Sequence, residues 1–181
     1  MRDRGALYVG ILLVLLGAIF FFVTLSDSLL GVLGIRAGWG RLWPLLVLYV
    51  GAAFWLPFVI WWERRAQFAG LAVPGAIVTV NGLLLLYQSL TGDWGSWAYL
   101  WALEPVAVAA GLFILYLLSG RPHGLLVAVG IVGGVGLLFL AIFGTTFGGG
   151  LRYLAPVALV VIGMLLMLRG VQERTGPYPR E

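Results

Sequence analysis

The stretch GALYVGILLVLLGAIFFFVTL (residues 5–25) decides what kind of molecule this is. It carries no charged side chain along its whole length, and about 20 mostly apolar residues in a helix cross the roughly 30 Å hydrocarbon core of a bilayer. Arg2 and Arg4 precede it. It is longer than the apolar part of a secretory signal, and no small-residue cleavage pattern follows, so it reads as an uncleaved first helix.

The rest of the chain repeats this pattern. Of 181 residues, 62% are hydrophobic and 10% charged, with a mean hydropathy of +1.06. Soluble domains average about 45–50% apolar and about 25% charged, which excludes an ordinary soluble globule. Disordered chains are poor in apolar residues and rich in charge, which excludes that class too. Cutting the sequence at charges and turn residues predicts six spans, at 5–25, 42–62, 69–90, 99–118, 124–143 and 151–168. The expected fold is therefore an all-α integral membrane protein. It forms one six-helix domain over 1–168, followed by a short disordered tail, 169–181, rich in Gly, Pro and charge.

The connections are short. Residues 26–41 open on Ser26, Asp27 and Ser28, a turn cluster, and 63–68 form a charged hinge. TGDWGSW (91–97) and SGRPH (119–123) read as turns, and GTTFGGG (144–150) as a flexible hairpin. No connection is long enough for a soluble domain, which needs about 50 residues.

Arginine fixes the expected orientation. All eleven basic residues are Arg. With six spans, Arg2, Arg4, Arg64, Arg65, Arg121, Arg169, Arg174 and Arg180 fall on the side of the termini, against Arg36, Arg41 and Arg152 opposite. Basic residues favour the cytoplasmic side, so both termini are expected there, in a bacterial inner membrane. Scattered singly or in pairs, these arginines set topology; they do not form a phosphate-binding patch, and no nucleic-acid partner is expected. Trp43, Trp61, Trp62, Trp97 and Trp101 fall near span ends, where amphipathic rings anchor at headgroups.

The chain also resembles itself. Odd spans carry small residues at related points: Gly10 and Gly17, Gly75 and Gly82, Gly130 and Gly136. Even spans open on RLWP (41–44), YLWALEP (99–105) and YLAP (153–156), followed by Gly51, Gly111 and Gly163. Proline suits the first turn of a helix, where no backbone partner is lost. Three helical hairpins are predicted, at about 5–65, 66–120 and 121–168. Because each repeat has an even number of spans, the repeats share one orientation.

The first hairpin, with GILLVLLG (10–17), a Gly- and Trp-containing loop and WPLLVLYVG (43–51), resembles the LiaI/LiaF-like transmembrane region of bacterial membrane proteins. The resemblance implies a small two-helix membrane unit of the kind found in proteins linked to envelope-stress sensing. It brings no catalytic residues.

Few residues can carry chemistry. There is no Cys and one His, His123, in a turn, so no thiolate, disulfide, metal site or cofactor is expected. No Ser/His/Asp, HExxH or paired-carboxylate set occurs, and the chain is not expected to be an enzyme. Glu104 admits two readings. An ionisable residue inside a span is a functional candidate by default. Directly before Pro105, however, it also suits an interfacial place beside a helix N-terminus, where the helix dipole favours a carboxylate. Arg41, Glu104 and Arg152 hold related places ahead of even-span prolines and are candidates for an ionic latch; otherwise each snorkels separately to headgroups. Asn81, with Thr79 and Gln88 on the same span, would either hold an ion or hydrogen-bond a neighbouring helix. Gly10, Gly17, Gly75, Gly82, Gly130 and Gly134 are candidates for close helix packing.

The sequence thus points to a small non-enzymatic membrane protein. Its partners would be the lipid bilayer and another membrane protein or a second copy of itself. No small-molecule substrate can be identified. A small transporter or channel with a weakly polar centre near Asn81 is the alternative.

Overall fold

The computed structural model describes residues 3–32 and 38–147, and every regular element among them is helical. The expected sixth span, with Arg152, Pro156 and Gly163, and the tail 169–181 lie outside the described residues.

Helix α1 runs Arg4–Val32, well beyond the expected end at Leu25. The Ser26–Asp27–Ser28 cluster does not turn the chain, because the Ser28 hydroxyl donates to the Thr24 carbonyl at 3.0 Å, inside the helix. A short α2, Trp39–Leu42, leads through Trp43 into α3, Pro44–Ile60. Pro44 is at the start of α3, where its missing N–H costs nothing. At 17 residues α3 is about 26 Å long, much shorter than α1 at 29 residues. The expected charged hinge is a ten-residue 3-10 segment, Trp62–Leu71, that runs directly into α4, Ala72–Thr91.

The predicted fourth span is not one straight helix. A 3-10 turn, Trp94–Ser96, and α5, Trp97–Leu100, meet α6, Leu103–Leu118, at a bend of 57°. Pro105 has no N–H to offer the Trp101 carbonyl, and the Glu104 N–H takes that acceptor instead at 3.0 Å, one residue tighter than an α-helix. Gly120 and Arg121, both with positive φ (78° and 63°), reverse the chain, and the Arg121 N–H closes back on the Tyr116 carbonyl at 3.1 Å. Helix α7, His123–Phe147, continues past the expected end at Phe143. There the Thr145 and Thr146 hydroxyls bond to carbonyls one turn back, so these residues remain helical.

Three helical stretches, or four with the bent pair as one, are long and apolar enough to cross a membrane. The helices pack in series: α1 on α3, α3 on α4, α4 on α6 and α6 on α7. Paired residue numbers run in opposite directions, as in Leu48 on Gly82, Gly51 on Thr79 and Phe54 on Gly75, so successive helices are antiparallel. Helix α4 is covered on both sides, whereas α1 and α7 are largely exposed. At one end of this array Arg4 pairs with Glu63 at 3.3 Å, which places the start of α1 beside the 62–71 segment.

Candidate functional site

Three polar side chains of the central helix α4, Thr79, Asn81 and Gln88, each have a partner on a different neighbour. Thr79 Oγ1 accepts from the Trp55 indole of α3 at 2.9 Å. Asn81 Nδ2 donates to Glu104 Oε2 of α6 at 2.9 Å and to the Ile77 carbonyl at 3.1 Å. Gln88, fully buried, donates through Nε2 to Ser96 Oγ at 3.2 Å. Ser96 in turn donates to the Asp93 carbonyl at 2.6 Å. Gln88 Oε1 has no partner among the described residues. Apart from Gln88 Oε1, the polar ends of these three side chains are thus matched inside the protein, as a hydrocarbon surrounding demands.

The Asn81–Glu104 bond joins two residues that sequence reasoning treated separately. Glu104 is in the first turn of α6, the position its proline neighbour implied. That first turn nevertheless lies at half the height of α4, because Trp94–Leu100 occupies the half of this layer toward Thr91. Asn81 is the tenth of the twenty residues of α4, so the bond is about 14 Å from the start of that helix and about 15 Å from its end. Both side chains are half-buried.

Arg41 is exposed and lines an open cleft of about 450 Å³ with Asp27, Gly38, Trp39 and Gly40. The structure does not bring Arg41 to Glu104: among the described residues the ion pair is Arg4–Glu63. Arg152, the other arm of the expected latch, lies outside the described residues.

The candidate packing glycines divide into two groups. A Cβ on Gly75 would come within 3.1 Å of Phe54, and one on Gly82 within 2.7 Å of Leu48. At Gly10, Gly17, Gly130 and Gly134 a Cβ would meet nothing within 4 Å. The tightest approach falls elsewhere, at Gly111, and Gly136 also closes on backbone. A Cβ on Gly111 would lie 2.5 Å from the Val73 Cα, and one on Gly136 would lie 2.9 Å from the Val106 N.

Among the expected anchors, Trp43, Trp62 and Trp97 are exposed and Trp61 and Trp101 half-buried. The Arg65 guanidinium lies over the Trp62 ring, 4.3 Å from its centroid. Trp61 packs at a tilt on Tyr8 and Phe68, and Trp101 on Phe139 and Phe143. Trp101 therefore ties the bend before α6 to α7.

One polar contact escaped the sequence reading. Pro57, inside α3, leaves the Ala53 carbonyl without its helical N–H, and the Tyr8 hydroxyl of α1 donates to it at 3.1 Å. A proline within an apolar span marks an orphan carbonyl four residues earlier, and that signal was readable. No group of acidic, His or Cys side chains able to hold a metal occurs among the described residues. No family model matches the chain, and neither a curated protein nor a solved structure matches it.

Proposed function

We propose that this is a non-enzymatic, six-span protein of the bacterial cytoplasmic membrane, with both termini cytoplasmic, that acts by helix association with a second copy or another membrane protein. This reading counts α1, α3, α4, the bent α5–α6 pair and α7 as five crossings and the apolar sequence 151–168 as the sixth, and the antiparallel packing of successive helices supports it. The arginine asymmetry then places the termini inside. The observation that carries the association is where the open glycines lie. The central helices close their glycine notches on one another, whereas among the described residues Gly10 and Gly17 on α1 and Gly130 and Gly134 on α7 face nothing within 4 Å. In lipid, such notches let another helix approach closely. An accessory, scaffold or envelope-stress role fits this chemistry and the LiaI/LiaF-like resemblance of the first hairpin.

The natural absence of cysteine makes the test direct. Single cysteines at Gly17 or Gly130, oxidised in native membranes, should give a cross-linked dimer or a discrete larger adduct, whereas cysteine at Leu84, inside the protein, should not. Monomer alone from every exposed position would remove the proposal. A second reading, a small cation transporter or channel, is favoured by one observation: an acidic and an amide side chain meet at half height beside a broken helix.

A further inference from the structure

We propose that Glu104 and Asn81 form an intramembrane binding site for one small monovalent cation, a proton or a sodium ion. The inference deepens the second reading above, with Glu104 as its binding residue.

The geometry around one atom carries it. Asn81 Nδ2 sits between two oxygens, Glu104 Oε2 at 2.9 Å and the Ile77 carbonyl at 3.1 Å. The partly positive amide group therefore occupies the place where a full positive charge would be held. A half-turn of the amide exchanges Nδ2 for Oδ1. The carboxylate, the amide oxygen and the Ile77 carbonyl then all present oxygen to the same point, which is the hard-ligand set a small cation takes.

The charge balance points the same way. An ionised carboxylate in a membrane interior is costly unless a cation compensates it. Among the described residues, the groups on the neighbouring elements do not. Along α4 the titratable side chain is Tyr87, six residues and about 9 Å above Asn81. Helix α7 has none between Gly124 and Phe147. Glu63, Arg64 and Arg65 belong to the segment at the far end of α4, beyond Ala72. Tyr49 of α3 and Tyr99 of α5 bring phenols, not cations, and Arg41 of α2 is exposed at the cleft beside Asp27. Among the described residues, Glu104 has one neutral amide and the N-terminal turn of α6, which compensate a charge only in part. A mobile cation completes the balance. Toward the Thr91 end of α4, the Tyr87 hydroxyl donates to the exposed acid Asp93 at 3.4 Å.

Dicyclohexylcarbodiimide, an apolar reagent that adds to protonated carboxyls from the lipid phase, tests the site on the intact chain in liposomes, with adducts mapped by mass spectrometry. Modification should fall on Glu104 in preference to the exposed acids Asp3, Glu63 and Asp93. If sodium is the ligand, NaCl at fixed pH slows the reaction several-fold while choline chloride does not. If the proton is the ligand, NaCl has no such effect and the reaction is lost as pH rises. Modification confined to the exposed acids, or a Glu104 rate indifferent to both sodium and pH, would overturn the proposal. Ion flux into the same liposomes is a separate measurement. Site-specific modification without flux keeps the site and removes the transport reading; flux without Glu104 modification does the reverse.

Discussion

The Tyr8 hydroxyl donates at 3.1 Å to the Ala53 carbonyl, the acceptor in α3 that Pro57 leaves without an N–H. The kink residue and its remedy are thus on different helices, and α1 is joined to α3 by a defect in α3. Tyr8→Phe should lower stability by about 0.6–1.7 kcal/mol, the range for interhelical hydrogen bonds in lipid. In a Pro57→Leu background the restored N–H takes the acceptor, and Tyr8→Phe should then cost little. Equal costs in both backgrounds, read from unfolding in detergent micelles, would refute the coupling.

Glycine substitutions should separate by position. Gly111→Ala places a methyl 2.5 Å from the Val73 backbone, which cannot give as a flexible side chain can, and should cost about 1–3 kcal/mol. Gly130→Ala meets open space and should leave thermal stability unchanged or raise it by about 0.5–1 kcal/mol through helix propensity. The reverse order in melting temperature would contradict the α4–α6 packing described here.

The buried amide at the end of α4 gives a paired expectation. Ser96→Ala strands the Nε2 of Gln88, whose Oε1 already has no partner, and should cost about 1–3 kcal/mol. Gln88→Leu, which removes both polar atoms at similar volume, should shift stability by less than about 1 kcal/mol. Chemical denaturation of the two variants side by side decides the matter; a Gln88→Leu loss exceeding that of Ser96→Ala goes against it.

Arg121 holds a left-handed conformation, φ 63°, that costs a side-chain-bearing residue about 1–2 kcal/mol. After the greater unfolded-state freedom of glycine is deducted, Arg121→Gly should gain roughly 0.5–1 kcal/mol. Differential scanning calorimetry checks this, and a lowered melting temperature would mean that the turn depends on the arginine side chain.

Hydropathy made the helical class and the approximate helix positions legible, because a bilayer-length apolar run has few other uses. Helix ends were less so. Ser28, Thr145 and Thr146 read as loop formers, yet each bonds to its own helix, a choice that composition does not reveal. The bend before Glu104 was hinted at by Pro105 alone. Asn81 and Glu104 were each conspicuous, but their meeting depends on the register of α6 against α4. That register follows from Gly111 seating on Val73, a fit between surfaces and not a property of either segment.

Serial packing also has a consequence for how the protein is made. A helix that rests on its predecessor in the chain has its docking surface waiting when it leaves the ribosome. Asn81 is synthesised before Glu104, Trp55 before Thr79 and Tyr8 before Pro57. Each later residue, including the acid at half height, thus enters beside a partner already delivered to the membrane. Assembly can follow synthesis in order, and the costliest residue to insert is escorted from its arrival.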